Sequence, residues 1–461
     1  MLDLFFILSI LLFGLLATVF ALVKPRVIVA LSIFGCFIQI GWFYRFLDIS
    51  PYFKRVPLAL IGITGCVLLL EYALKRFQKE SKIVILKPTI YMAIFLIALT
   101  MITNIYNDEN IVLGFFELRY YFASFVLTFS IYTYYGPKLS IDFFKKCLVI
   151  IGLAQIPFVV IQNVLFKMNF LLREKAVWDA FTGTFSTYAE LVSCQIVAIG
   201  IVLIDKFMIN KHFFNLNSYL LAILLVVPLL LSGSRLSMVF VLLLVLFCWI
   251  YFAIHEKNYT KKIMFFFQAS FIGILFIVLF LKIFWKTYDI HQQFDFYYII
   301  EYLTRDPITD YYKYKTFGMD PVMGRLRAVS EAFYLTFQHP VNALIGYGSG
   351  ATSETSFLAE TGKYYQKVGP LAGIGRNQYS KIITEFGLIG LFGFIQFFYS
   401  VYKRLRQIPT PRNLVNIYSV IVFSLLILSI YAQTVNSYFY SVVIGFFLAT
   451  VQVEYDRRKT K

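Results

Sequence analysis

Apolar runs of about twenty residues recur from one end of the chain to the other, and a single long polar stretch interrupts them. The runs lie near residues 3–23, 27–47, 57–74, 88–105, 112–135, 146–166, 187–207, 218–232, 236–254, 263–285, 380–402, 414–432 and 436–453. They are continuous rather than alternating, which predicts helices and excludes a β-barrel. A helix of about twenty apolar residues covers a bilayer core of ~30 Å. The pattern therefore predicts an all-α polytopic integral membrane protein with 12–13 transmembrane helices. The count is a range because 218–232 is short and 112–135 holds charges. The first run has Asp3 ahead of it and no basic segment, so a cleaved signal peptide is not expected.

The polar stretch divides the chain into three parts. Residues 1–285 carry ten spans, 286–379 form one large loop containing short helices, and 380–461 carry three spans and a basic tail. Within the loop, Leu326, Val329, Phe333 and Phe337 recur at helical spacing. They predict a helix that starts near Gly324 and Arg325 and stops at His339-Pro340. Gly346-Tyr347-Gly348-Ser349-Gly350 is turn chemistry, as are Gly362 and residues 369–375. The span after the loop is expected to start near Asn377, with Asn377, Lys381 and Glu385 on one face at i, i+4 and i+8. The chain contains neither an internal repeat nor a low-complexity segment.

Composition agrees with the pattern: 59% of the 461 residues are hydrophobic and the mean hydropathy is +0.74. Charge adds direction. Lys and Arg gather in every second connection, among them Lys24 and Arg26, Lys75 to Lys87, Lys257 to Lys262, Lys403 to Arg412, and the tail from Arg457. Cytoplasmic loops carry such an excess. The C-terminus is thus expected inside, the N-terminus outside, and the long loop outward-facing. The net charge of +17 then reflects topology, and nucleic acid is not an expected partner. The five cysteines lie in or at the ends of spans without metal-site spacing, so no metal site is expected. No cofactor is implied.

Charged groups at membrane depth are expensive and face a partner or a cavity. Glu117 and Arg119 in the fifth span read either as a mutually neutralising pair or as functional groups. Arg235, in Ser232-Gly233-Ser234-Arg235, reads either as a snorkelling turn residue or as a phosphate ligand with a permanently charged fork of donors. Arg325 and its neighbour Arg327 open the loop helix, where an anion is already favoured, although a solvated helix start fits equally. His339 ends that helix, and a lone histidine there is more often a capping or packing residue than a base. The spacing Gly346-x-Gly348-x-Gly350 is not a dinucleotide loop, because no strand precedes it. Glu385 is either a base or orienting group or half of an i,i+4 pair with Lys381.

Three segments together resemble the bacterial O-antigen polymerase (Wzy) and O-antigen ligase (WaaL) superfamily. They are SGSRLS (232–237), GRLRAVSEAFYLTFQHPVNALIGYGSG (324–350) and RNQYSKIITEFGLIGLFGF (376–394), and they occur in the order of that family's motifs. The resemblance implies glycosyl transfer at the outer face of the bacterial inner membrane. Donor and acceptor would be undecaprenyl-pyrophosphate-linked oligosaccharides, with no metal or nucleotide sugar, and a chain-length regulator protein is an implied partner. By motif, Arg235 and Arg325 correspond to pyrophosphate ligands and join Glu385 and Arg376 as catalytic candidates. Arg119, Arg327, Asn377, His339 and Tyr347 are substrate-binding candidates. Ligases resembling this family carry a histidine before the asparagine of the third motif, where this chain has Arg376. Guanidinium does not accept a proton at neutral pH, so either the base is Glu385, Glu331, Glu354 or His339, or the reaction has strong oxocarbenium character and needs little help from a base. The departure favours a polymerase over transfer of finished glycan to lipid A core or protein. A transporter of the same lipid-linked sugar is the reading from another class.

Overall fold

A computed structural model describes residues 23–39, 56–75, 86–167, 181–208, 216–232, 235–255, 324–355, 360–368, 377–407, 413–435 and 437–459, with isolated helical positions between 259 and 304. The run predicted at 3–23, apart from Val23, most of 263–285, and residues 286–323 of the loop, apart from Thr304, lie outside the described residues.

Before the loop come α1 (Pro25–Phe37), α2 (Val56–Lys75), α3 (Lys87–Tyr106), α4 (Ile111–Tyr135), α5 (Ile141–Lys167), α6 (Tyr188–Met208), α7 (Leu216–Ser232) and α8 (Arg235–His255). The loop holds α9 (Arg325–Phe337), α10 (Pro340–Ile345) and α11 (Lys363–Val368). It also holds a short antiparallel ladder of β1 (Glu354–Thr355) on β2 (Glu360–Thr361), with Glu354 opposite Thr361. The chain continues through α12 (Gln378–Gln407), α13 (Asn413–Leu428) and α14 (Tyr438–Lys459).

Five of the described helices are long and apolar enough to cross a membrane, within Lys87–Tyr106, Ile111–Lys138, Ile141–Leu165, Gln378–Gln407 and Tyr438–Arg457. Large apolar side chains point outward on several of them, including Ile94, Ile102 and Ile105 on α3, Ile150 and Val164 on α5, and Phe392 and Ile395 on α12. A surface in contact with water does not carry apolar faces of this kind on helix after helix. The chain is a helical, multi-pass membrane protein.

Local chemistry sets the helix ends. Asn110 caps α4, its Oδ1 accepting from the backbone N–H of Val112 at 2.8 Å and Leu113 at 3.3 Å, as an N-cap residue does. Proline occupies the first turn of α1, α3 and α10, where its missing N–H is no loss. At the centre, α14 packs along α4. A Cβ on Gly445 would meet the Leu127 side chain at 3.0 Å and the Ser124 carbonyl at 3.2 Å, so glycine lets the two backbones approach closely.

Buried connections find their hydrogen bonds inside the protein, as the membrane interior demands. The turn at 182–184 is held by two glutamines of α5. Gln162 Oε1 accepts from the N–H groups of Thr182 and Gly183, and Gln155 Oε1 accepts from Thr184 N–H.

Among the described residues, three predicted runs behave differently from a simple span. α1, predicted over 27–47, ends at Phe37, whose carbonyl accepts instead from the Thr184 hydroxyl at 2.7 Å. α13 ends at Leu428, short of the predicted 432, and the turn that follows supplies the Ser429 and Ala432 carbonyls to the N–H of Gln378 at 3.0 and 3.1 Å. α12 is broken at Gly387, whose φ of 59° and ψ of −159° are non-helical. The segment 378–386 is thereby a separate short helix leading into the apolar one.

Candidate functional site

Among the described residues the loop is joined to the membrane helices at several places, and three of them hold most of the site candidates. The first is the break in α12. The helix 378–386 would leave its last carbonyls unpaired. The N–H of Tyr347 donates to the Thr384 carbonyl at 2.7 Å, and that of Gly348 donates to Glu385 at 3.1 Å. The glycine turn after α10 is therefore a cap for a broken helix. Gly346, with φ of 80°, lies so close that a Cβ would meet the Glu385 carbonyl oxygen at 2.4 Å. The turn is pinned to the α3–α4 corner as well. Asn104 and Ser349 exchange amide hydrogen bonds of 3.0 and 2.9 Å, and the Ser349 hydroxyl donates to the Gly114 carbonyl at 3.1 Å.

The second is a buried ionic chain. Lys381 Nζ lies 2.8 Å from Glu117 Oε2 and 3.6 Å from Glu385 Oε1, and it donates to Ser353 Oγ at 3.0 Å. Thr352 donates to the same Glu385 oxygen at 2.6 Å. Glu117 also faces Arg119 at 3.8 Å. Lys381 and Glu385 are 2% and 0% exposed, so this is an internal network. Arg119 is turned onto its own helix: its guanidinium donates to the Phe116 carbonyl and to the Tyr120 hydroxyl and lies over both rings.

The third is the start of α9. Asn377 caps α12, its Oδ1 accepting from Ser380 N–H at 2.8 Å, while its Nδ2 donates to the Arg325 carbonyl at 3.0 Å. It stands at the N-cap, one turn before Lys381, whose N–H donates to the Asn377 carbonyl at 3.2 Å. The Arg325 guanidinium sits 5.4 Å above the ring of Tyr431, within cation–π range. Tyr431 in turn contacts Phe240 of α8, centroid to centroid at 6.1 Å. Phe240 is about 7.5 Å along the helix that Arg235 opens. The side chain of Arg235 and the whole of Arg376 lie outside the described residues.

Asn377→Ser retains a capping oxygen and loses the donor to Arg325, whereas Asn377→Ala loses both. The unfolding midpoint of purified protein should fall for both, and further for Ala by the equivalent of about 1 kcal/mol of capping. Equal midpoints for the two variants would rule out the cap.

The remaining candidates separate. Arg327 pairs with Glu331 at 3.5 Å on its own helix. His339 stands exposed before α10, while Tyr347 donates its hydroxyl to the Leu335 carbonyl at 3.2 Å. Both line a cleft of about 740 Å³ between α9, α10, α11 and the α3–α4 turn. Beside it Lys363 Nζ lies 2.6 Å from Asp108 and holds that carboxyl below the usual carboxylate range. Burial pushes the neighbouring Glu109 upward, although Lys363 N–H donates to it at 3.0 Å. Tyr431, Thr352 and Asn104 escaped sequence reasoning, since each acts through a partner far along the chain. No protein-family model matches this chain, and no curated protein matches it in sequence.

Proposed function

We propose that this protein is a polysaccharide polymerase of the O-antigen or capsule type. It would join undecaprenyl-pyrophosphate-linked repeat units at the outer face of a bacterial inner membrane, with 12–13 spans, the polar loop outside and the C-terminus in the cytoplasm. The observation that carries the reading is the convergence at Tyr431: Arg325 lies over its ring and α8, opened by Arg235, packs against it. Two guanidinium-bearing helix starts at one end of the bundle suit a lipid-linked pyrophosphate. Each offers a permanent charge and a bidentate fork.

In the reaction an acceptor hydroxyl attacks the anomeric carbon of the donor sugar. The bond to the pyrophosphate breaks, and the lipid pyrophosphate leaves with the bonding electrons. Charge builds on that leaving group, and preorganised cations beside it stabilise the transition state. Glu385 is enclosed and already engaged by Thr352 and Lys381, so in this reading the hydroxyl proton goes to a more accessible base, or to water or the departing pyrophosphate as the new bond forms.

Arg235→Ala and Arg325→Ala should each cut polymer formation about 100-fold or more, the scale of losing one charge-stabilising donor, while the protein still inserts. Lysine should rescue poorly, because a point charge lacks the fork. Fully active lysine variants would argue against pyrophosphate binding. Deleting the gene should leave surface glycan one repeat long. Long polymer retained on the lipid carrier would indicate a ligase instead. A transporter of lipid-linked sugar is a further alternative, since such proteins use broken helices. Here the carbonyls at the break of α12 are already occupied by Tyr347 and Gly348. Chain lengthening of synthetic lipid-linked units by the purified protein alone would set the transporter aside.

A further inference from the structure

Both ends of α9 rest on the loop-side ends of membrane helices. At its start, the Arg325 carbonyl accepts from Asn377 at 3.0 Å and the guanidinium lies over Tyr431, in the turn just after α13. Its end leads into α10, which is sealed to two helices long and apolar enough to cross a membrane. The side-chain amide of Asn107, at the end of α3, donates to the Gly346 carbonyl at 3.1 Å. The Leu344 carbonyl stands against Gly387, where the apolar part of α12 begins. The 20 residues of α3 make about 30 Å of helix, and Leu388 to Arg404 makes about 25 Å, each close to the hydrocarbon thickness of a bilayer. With the inner ends at Lys87 and Arg404, α10 lies at the level where hydrocarbon gives way to headgroups.

At that level the two loop helices keep an apolar face outward. α9 turns Ala328, Ala332 and Thr336 to the protein, while Leu326, Tyr334 and Phe337 fall within one arc of about 80° on its other side. Val341 and Leu344 continue the face on α10, and all five are between 43% and 64% exposed. The face adjoins the lipid-facing surface: Val341 and Tyr106 line one cleft, and Tyr106 is exposed at the end of α3 together with Ile102 and Ile105. A face of this kind suits a helix lying in a bilayer surface, where tyrosine sits at headgroup level. We infer that α9 and α10 are a membrane-contact element, lying on the bilayer with Leu326, Phe337 and Leu344 set into the boundary between acyl chains and headgroups. The partner is phospholipid and not a second protein, because the face adjoins side chains already turned to lipid on α3. The inference stands apart from the polymerase reading. It fixes Arg325 at the depth of lipid phosphates whatever reaction takes place there.

Phe337→Cys and Leu344→Cys, made in full-length protein and labelled with bimane, test it in lipid nanodiscs. Cys66 is the exposed native cysteine, so the parent carries Cys66→Ala and its residual labelling is subtracted. Ile102→Cys marks lipid, and Asp108→Cys marks water, its native side chain being 98% exposed. Phospholipid with brominated acyl chains should quench the labels at Phe337 and Leu344 at least about half as strongly as the label at Ile102. Aqueous iodide should quench them at most about a third as strongly as the label at Asp108. Weaker quenching by lipid overturns the inference, whether iodide reaches the labels, as in water, or does not, as under a covering protein segment. Leu326→Cys supplies a further position on the same face should either variant not fold. Failure of the polymerase reading shows separately, as normal polymer in cells carrying Arg325→Ala, and leaves the quenching pattern as it was.

Discussion

Lys381→Met is expected to destabilise the purified protein by about 3–5 kcal/mol, the cost of removing one partner from a buried ion pair. Lys381 serves two carboxylates, with Glu117 Oε2 at 2.8 Å and Glu385 Oε1 at 3.6 Å, and it is 2% exposed. Methionine fills much the same space but leaves both acids buried without their cation. Adding Glu117→Gln to Lys381→Met should therefore recover part of the loss, since it removes one of the stranded charges. Contacting residues of this kind show coupling beyond additivity. Thermal unfolding in detergent or nanodiscs would read both effects. A parent-like midpoint for Lys381→Met, or strict additivity in the double variant, would show that the network does not hold α4 to α12.

That network also assigns a part to residues that sequence alone left between chemistry and structure. Glu117 on α4, Lys381 and Glu385 on α12, and Thr352 and Ser353 on the loop form one connected group. It fastens the loop to two helices long and apolar enough to span a membrane. The short helix 378–386 is thus fixed at its start by Asn377, at its middle by Lys381, and at its end by the turn 346–348. Asn377 carries that fixation to the Arg325 backbone, the place where the proposed pyrophosphate site begins. Rigid support of this sort is what positions a charge-stabilising group to the fraction of an ångström that catalysis requires.

Much of this architecture could be read locally. α4 fills Ile111–Tyr135 where the apolar run predicted 112–135. α9 begins at Arg325 after Gly324 and ends at Phe337, before the predicted His339-Pro340 stop. The i,i+4 pair of Lys381 and Glu385 also follows from spacing alone. Periodicity reports such features because they involve residues within a few turns. Long-range partners leave no such trace. Nothing near Glu117 indicates that its closest cation stands 264 positions away, or that Asn104 exchanges hydrogen bonds with Ser349. The glycines were visible as turn chemistry. Their joint function as a cap on a broken helix required knowing which carbonyls they meet.

Gly387→Ala is the second change with a large expected effect, and it tests that joint function. Its φ of 59° and ψ of −159° fall in a region that only glycine occupies readily, at a cost to other residues of order 1–3 kcal/mol. Space adds to strain: a Cβ there would meet the Leu344 carbonyl oxygen at 2.5 Å and Gly346 N at 2.6 Å. These are backbone atoms that cannot swing aside. Gly346→Ala drives a methyl into the same seam from the other side, at 2.4 Å from the Glu385 carbonyl. Each variant should therefore lose about 3 kcal/mol or more. The pair together should lose less than the sum, because both separate the same two segments. Gly62→Ala is the control, since a Cβ at that helical position meets nothing within 4 Å and helix propensity favours alanine by up to about 1 kcal/mol. If Gly387→Ala matched this control in midpoint, the break in α12 would be an incidental kink. If it unfolded the loop junction while α4 and α14 stayed protected in hydrogen exchange, the seam would be a cooperative unit of its own, separable from the membrane core on which it rests.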